Sequence, residues 1–131
     1  MSFTLQDIQE AKKAVNSEEY VRWLKKIGVL SYDYDLSTGI FTYIGADGHK
    51  VVTESNGMHL EATGHADPER VQAIIEGLES WHNFTALCEA LSNEGIATWE
   101  TNLEHLEVEY RNVRGKAVYR EQLPTFADEE K

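Results

Sequence analysis

The sequence predicts an α+β fold with two layers, in which four helices cover six antiparallel strands. Three observations lead to this prediction. Apolar and polar residues alternate strictly over residues 30–36, which is typical of a strand with one buried face. Apolar residues recur at helical spacing in the segments before that strand. The same order of helix, helix and three strands then appears a second time along the chain.

The first unit is expected to begin with a helix over residues 4–15, because Thr4 followed by Asp7 has the spacing of a capping box. A second helix ends at Gly28, since glycine most readily takes the left-handed conformation that follows a helix. Short turns separate the three strands of this unit, which the pattern places at residues 30–36, 40–44 and 49–53.

The second unit is expected to begin with a helix at Pro68, which suits a first helical position because no backbone N–H is needed there. The apolar face of this helix is predicted at Val71, Ile74, Ile75, Leu78 and Trp81. A fourth helix ends at Gly95, and its apolar face is predicted at Phe84, Leu87, Cys88 and Leu91. Three more strands are predicted over residues 96–101, 106–111 and 117–121.

The two units align at a constant offset of 67 residues, which predicts an internal duplication. Seven of the 35 positions from Tyr20 to Glu54 are identical at this offset, against about two expected for unrelated sequences of ordinary composition. We interpret residues 1–131 as a single domain with pseudo-twofold symmetry. Its parts are repeat one (3–54), a connector (55–66), repeat two (67–124) and a frayed acidic tail (125–131). The sequence leaves open whether one continuous sheet runs through both repeats.

The composition predicts one soluble domain, because 131 residues with 41% hydrophobic content can bury a core without help from a disulfide or a structural metal. No apolar run is long enough to span a membrane, and no signal-peptide pattern is found, so a cytoplasmic location is expected. Cys88 is the only cysteine, which excludes an intrachain disulfide. The net charge of −11 disfavours direct binding to nucleic acid or to an anionic membrane surface.

Candidate metal ligands lie in the connector. His59, Glu61 and His65 are residue types that bind zinc. Their spacing matches no helical pair and no zinc signature, so solvated loop residues are favoured, and neither a metal nor another cofactor is predicted. Cys88 lies on the apolar face of its helix, where a small buried side chain is favoured over a thiol nucleophile.

Three carboxylates on the strands are the candidates for catalysis. Glu107 and Glu109 lie on one face of their strand, and Glu100 joins them if its strand is the neighbour. A solvated acidic surface is the favoured interpretation. In a cleft, however, the same carboxylates would raise one another's pKa and suit proton transfer.

Three aromatic residues are the candidates for a ligand pocket. Tyr32, Tyr34 and Trp99 occur on the first strand of each repeat, on one face. Core packing against the helices is favoured by their even spacing, and a pocket near the pseudo-symmetry axis is the alternative. No glycine-rich phosphate loop leads from a strand into a helix, which argues against dinucleotide and P-loop sites.

Several segments resemble a known bacterial family: residues 3–11, 20–29, 43–51, 84–88 and 95–99. Together they are similar to domain-of-unknown-function family 1398, which is often labelled "phage envelope protein". The resemblance covers nearly the whole chain. It implies a small cytosolic α+β protein from bacterial or prophage-derived genes, and it implies no mechanism and no catalytic residues. Residues 55–66 match no pattern of that family.

The function favoured by these observations is a non-enzymatic binding or protein-interaction module with an unidentified protein partner. The first alternative is an acidic decoy that imitates nucleic acid and occupies a DNA-binding protein, an idea that rests on the net charge and on Glu107 and Glu109. The second is a small enzyme with a carboxylate or histidine cleft between the repeats. A homodimer also stays open, because the edge strands of an open sheet can pair with a second copy.

Overall fold

The computed structural model of the chain describes residues 3–14, 17–77 and 84–123. Within these ranges it has four α-helices, which are α1 (Leu5–Ala11), α2 (Ser17–Ile27), α3 (Pro68–Gly77) and α4 (Phe84–Asn93). The strands are β1 (Val29–Asp35), β2 (Ile40–Gly45), β3 (Lys50–Val52), β4 (Thr98–Asn102), β5 (Glu107–Arg111) and β6 (Ala117–Gln122). A short 3-10 helix (Ala46–Gly48) lies between β2 and β3. The predicted α+β class is confirmed.

The start of α1 is fixed by the capping box that the sequence predicts. The backbone N–H of Asp7 donates to Thr4 Oγ1 at 3.3 Å, and the Thr4 N–H donates to Asp7 Oδ2 at 2.9 Å. The helix ends at Ala11, four residues before the predicted end. Four predicted features lie outside the described residues, namely Val15, Leu78, Trp81 and the tail at 125–131.

Two strands of the second repeat begin later than the alternation predicts. The N–H of Ile96 donates to the carbonyl of Leu91 at the end of α4, so Ile96 closes the helix and β4 begins at Thr98. Leu106 has a φ of 54°, in the left-handed region, so β5 begins at Glu107. Both residues fit the apolar pattern of a strand, but neither belongs to one. The pattern indicates that a residue is buried, and it does not indicate the conformation of its backbone.

All six strands form one antiparallel sheet in the order β3-β2-β1-β4-β5-β6. The two central strands, β1 and β4, are the first strands of the two repeats, and they pair from Ser31 opposite Asn102 to Asp35 opposite Thr98. The sheet is therefore continuous through both repeats. This arrangement is the one that a duplicated unit would give, and the duplication and the division into repeats stay predictions.

The helices pack on one face of the sheet in two buried clusters. The first core contains Ile8, Leu24 and Tyr43 from repeat one, and the second contains Val71, Leu91 and Trp99 from repeat two. Residues of each repeat lie in the core of the other, since Leu103 and Leu106 of repeat two lie in the first core and Tyr34 and Leu36 of repeat one lie in the second. Each repeat thus completes the core of the other. None of the described helices is long and apolar enough to cross a membrane.

Candidate functional site

The helix-covered face of the sheet carries a continuous cluster of aromatic rings, which we call the aromatic cluster. Its members are the six tyrosines of the chain together with Phe41, Phe84 and Trp99. Tyr32 stacks on Tyr43 with ring centroids 5.2 Å apart, and Tyr34 lies 5.1 Å from Trp99. In both pairs the two residues lie directly opposite each other on neighbouring strands, where side chains come into contact. The strand register therefore determines these ring contacts.

The predicted ligand residues Tyr32, Tyr34 and Trp99 are brought onto this face. Tyr34 is 0% exposed and Trp99 is 7% exposed, whereas Tyr32 is partly buried. Tyr34 and Trp99 belong to the second core, so the structure gives both a packing role. A ligand role for the three residues stays a prediction.

The buried hydroxyl groups of the cluster have protein partners. The hydroxyls of Tyr20 and Tyr43 lie 2.7 Å apart, and Tyr110 donates to Glu121 Oε1 at 2.9 Å. The Nδ2 of Asn56 donates to the Tyr34 hydroxyl at 3.0 Å. Burial raises the pKa of Tyr20, Tyr43 and Tyr110 above its ordinary value. These hydroxyls therefore stay protonated. The Tyr20–Tyr43 contact holds α2 to the sheet, and the Tyr110–Glu121 bond joins β5 to β6.

The opposite face of the sheet carries charged side chains, and we call it the charged face. Asp33, Glu100, Glu109 and Arg120 lie opposite one another on β1, β4, β5 and β6, so they form one row across four strands. The charged residues of this face on the strands are Asp33, Asp35, Lys50, Glu100, Glu107, Glu109, Arg111 and Arg120. The three predicted carboxylates thus lie on the same face of the sheet. Glu107 is two residues before Glu109 on β5 and is its neighbour on that face.

Arginine side chains bind two of these carboxylates. Arg111 donates through Nη2 to Glu100 Oε1 at 2.6 Å and through Nε to Glu109 Oε2 at 2.7 Å. Arg120 Nε donates to the other oxygen of Glu109 at 3.2 Å. The hydrogen bond from Arg111 is the main cause that lowers the pKa of Glu109. Glu109 therefore stays ionised, which suits a fixed ion pair better than proton donation.

One carboxylate of the charged face behaves differently. Asp33 lies directly opposite Glu100, and its pKa is raised, first by partial burial and then by the negative charge of Glu100. Arg111 and Lys50 lower its pKa, which partly offsets these effects. A nearby cation from a binding partner would stabilise the ionised form of Asp33, since it would reduce the repulsion from Glu100.

The three connector residues proposed as metal ligands can be located in the structure. His59 Nδ1 lies 3.2 Å from the carbonyl oxygen of Ser37, where it contacts the turn between β1 and β2. Over residues 3–14, 17–77 and 84–123, no three His, Cys, Asp or Glu side chains come together in a group that could hold a metal ion. His59, Glu61 and His65 therefore do not converge.

The thiol of Cys88 is fully buried in the second core. Burial raises the pKa of the thiol to about 12, so it is protonated at neutral pH. A protonated, enclosed thiol is a poor nucleophile. The structure thus agrees with the interpretation of Cys88 as a small apolar side chain of the core.

A comparison with protein families identifies the chain. A family model described as a protein of unknown function (DUF1398) matches residues 6–122, which is most of the 131-residue chain. The chain belongs to the DUF1398 family. The match ends at residue 122, where β6 ends, and it includes the connector that resembled no pattern of this family. A search of curated proteins gives no significant match to the chain.

Three residues that matter for the surface of this DUF1398 protein are not found by searching its sequence for carboxylate and aromatic motifs. Arg111 and Arg120 bind the predicted carboxylates, and Asp33 adds a further one. Alternation along β5 places Arg111 on the face of Glu107 and Glu109, so that signal was present in the sequence. The position of Arg120 depends on strand pairing, which no local pattern reports.

Proposed function

We propose that this DUF1398 protein is a non-enzymatic interaction module that binds a protein partner through the charged face of its sheet. The observation that carries the proposal is the ordered row of charges on the sheet face opposite the described helices. Arg111 and Arg120 hold Glu100 and Glu109 in fixed positions, so the charges are presented on a rigid strand scaffold.

The sign of the charges specifies the kind of partner. The charged face has five carboxylates and three cationic side chains, so its formal charge is −2. A protein with a basic patch of complementary spacing is the partner that such a surface attracts. A cytoplasmic location and a bacterial or prophage origin belong to this proposal, and they rest on the composition and on the family resemblance.

The two alternatives fit the geometry less well. A decoy that imitates nucleic acid needs an unbroken row of negative charges, whereas Arg120 ends the row and Arg111 binds Glu100 and Glu109. A small enzyme needs its carboxylates in a cleft, whereas Glu100, Glu107 and Glu109 lie on the sheet face opposite the aromatic cluster. A homodimer through an edge strand stays an alternative assembly.

The test compares two charge reversals that lie three residues apart. Glu107→Lys changes the charged face on β5, and Glu104→Lys makes the same change in the exposed turn between β4 and β5. Wild-type and variant proteins are immobilised and exposed to lysate from the native bacterium, and retained proteins are quantified by mass spectrometry. We expect one partner with a basic surface, retained by the wild type and by Glu104→Lys and reduced about fivefold or more by Glu107→Lys.

Salt dependence provides a second measurement of the same interaction. Retention is expected to fall as the salt concentration rises from about 0.05 M to about 0.3 M, because salt screens contacts between exposed charges. The charged face would be excluded as the binding surface if both variants lost the partner equally, or if Glu107→Lys retained as much of it as the wild type. Matching circular dichroism spectra of the three proteins would establish that the variants are folded.

A further inference from the structure

A groove of about 280 Å³ runs between α1 and α2, on the outside of the first helical hairpin. Lys13 lies on the α1 side, and Arg22 and Lys26 lie on the α2 side. Trp23 and two alanines form the apolar part of the lining. The groove therefore combines a flat aromatic surface with three cationic side chains.

The charge of this hairpin differs from that of the remaining chain. Residues 5–27 contain five basic and four acidic side chains, so their formal charge is +1. The other residues contain seven basic and nineteen acidic side chains, a formal charge of −12. In a protein with a net charge of −11, the groove brings cationic side chains together on a concave surface. An anion that is repelled elsewhere has an attractive site there.

The orientation of Trp23 is fixed before any ligand binds. Its indole Nε1 donates to the carbonyl oxygen of Asp7 at 3.0 Å, which ties α2 to α1. The ammonium group of Lys26 lies 5.8 Å from the centroid of the Trp23 ring. Lys26 is exposed, so its side chain can move off the ring face. A flat apolar body that packs against the indole would then place an attached anion within reach of the Lys26 ammonium group.

Arg22 forms an ion pair with Glu18, so Lys13 and Lys26 are the cationic groups considered for a ligand. Glu10 pairs with Lys13 at 3.2 Å, and both side chains are exposed, at 47% and 73%. An exposed ion pair of this kind contributes little stability, so an anion can replace the carboxylate at Lys13 at little cost. Glu19 also lines the groove, and it would disfavour a ligand with more than one or two negative charges near it.

We propose that the groove between α1 and α2 binds an organic anion, namely a carboxylate or a phosphate attached to a flat apolar body. The flat body packs against Trp23, and the anionic group binds to Lys26 and Lys13. This site is separate from the charged face, so the inference does not depend on the proposed protein partner.

The test is a titration of the full ¹⁵N-labelled chain followed by NMR. The probes are phenyl phosphate and benzoate, which distinguish a phosphate from a carboxylate ligand, with benzylamine and inorganic phosphate as controls. We expect saturable shifts of the Trp23 indole N–H and of the α1 and α2 amides with at least one aromatic anion, below about 10 mM. Benzylamine, which carries the opposite charge, and inorganic phosphate, which lacks the flat body, are expected to give no saturable shifts there.

Matched charge reversals locate the site. Lys26→Glu is expected to weaken binding of the probe about fivefold or more, and Lys116→Glu, in the turn before β6, is expected to leave it unchanged. Lys13→Gln provides a milder variant, with a smaller loss, should Lys26→Glu disturb α2. The proposal is wrong if neither aromatic anion gives saturable shifts in the groove, if benzylamine or inorganic phosphate binds there equally well, or if both glutamate variants weaken binding equally.

Discussion

Glu121 is a carboxylate on the aromatic side of β6, away from the charged face. Its Oε1 accepts a hydrogen bond from the Tyr110 hydroxyl at 2.9 Å. Burial is the main cause that raises the pKa of Glu121, and the negative charge of Glu76 raises it further, whereas the hydrogen bond from Tyr110 lowers it. The ionised form of Glu121 is therefore less stable in the folded protein than in the unfolded chain.

We expect Glu121→Gln to raise the stability of the protein at neutral pH. The folded state binds the Glu121 proton more tightly than the unfolded chain does, so wild-type stability falls as the pH rises through the raised pKa. A glutamine keeps an acceptor for Tyr110 and cannot ionise. Urea denaturation should show the gain at about pH 7.5, and the gain should shrink towards about pH 4, where Glu121 becomes protonated in both states.

The control for this prediction is Glu104→Gln, which removes an exposed carboxylate from the turn between β4 and β5. It should leave the urea midpoint nearly unchanged at both pH values, because surface substitutions away from special features have small effects. A Glu121→Gln protein that is no more stable than the wild type at about pH 7.5 would show that ionisation of Glu121 costs no stability.

The sequence predicts which face of a strand a side chain lies on, because this depends only on the position of the residue along that strand. Alternation along β5 places Glu107 and Glu109 on one face, as the structure has them. The ion pair between Arg111 and Glu100 joins two strands, and the lowered pKa of Glu109 depends on Arg111 and Arg120 together. These effects need distances between side chains, which the sequence does not contain.

At the scale of elements, backbone hydrogen bonds attach the connector to the turn after β1 and to α4. The N–H of Leu60 donates to the Leu36 carbonyl at 2.9 Å, and the N–H of Thr63 donates to the Ser92 carbonyl at 2.8 Å. The N–H of Asn56 donates to the carbonyl of Gly39, in the turn between β1 and β2, at 3.0 Å. The side chains of Ser55 and Asn56 also donate hydrogen bonds, to the Thr38 carbonyl and to the Tyr34 hydroxyl, so polar residues of the connector help to hold it in place.

Gly39→Ala tests this attachment, with Gly48→Ala as the matched control. Both glycines have left-handed backbones, with φ of 73° and 77°. A Cβ at Gly39 would overlap Asn56 Oδ1 and lie 2.7 Å from the carbonyl oxygen of Met58, whereas a Cβ at Gly48 would meet open space. We expect Gly48→Ala to cost about 1 kcal/mol from backbone strain alone, and Gly39→Ala to cost roughly 1–3 kcal/mol more because the connector must shift.

Chemical denaturation measures both costs, and NMR amide shifts show where the structure changes. Shifts in Gly39→Ala should extend to Asn56 and Met58, whereas those in Gly48→Ala should stay in the turn between β2 and β3. Equal destabilisation by the two variants would mean that the connector yields easily, and that its contacts with the turn add little to stability.

Helix and strand boundaries show where local patterns stop being sufficient. The capping box at Thr4 was predicted correctly because both partners lie within one turn. The predicted starts of β4 and β5 are too early because Ile96 and Leu106 are buried yet lie outside the strands. Burial gives a turn residue the same apolar character as a strand residue, so the sequence does not separate the two.

At the scale of the whole molecule, the two cores are completed by exchange between the repeats. Leu36 is 0% exposed in the second core, and Leu103 is 1% exposed in the first, and the two residues are equivalent at the offset of 67. Pairing of β1 with β4 brings the end of each central strand to the opposite half. Phe41 and Leu123 pack against both cores. The halves are therefore expected to unfold together.

Leu36→Ala and Leu103→Ala test this expectation. Each should lower the free energy of unfolding by about 2–5 kcal/mol, because each removes a fully enclosed leucine side chain from a core. Unfolding by urea is followed by far-UV circular dichroism and by NMR signals from both helical hairpins. All signals should change at one midpoint in each variant. Loss of one hairpin before the other would show that the cores fold separately.

The sequence by itself determined the order of helices and strands, their buried faces and the family resemblance, because each depends on residues that are neighbours along the chain. Helical spacing, strand alternation and the Thr4 capping box report local geometry, and the order of elements in the structure agrees with them. Only the tertiary structure decided that β1 pairs with β4 in one continuous sheet. It also decided that arginines bind Glu100 and Glu109, that Tyr34 and Trp99 are enclosed, and that the groove beside Trp23 gathers cations. These features depend on which strands and helices become neighbours in space, and the periodicity of one segment is the same for several such arrangements.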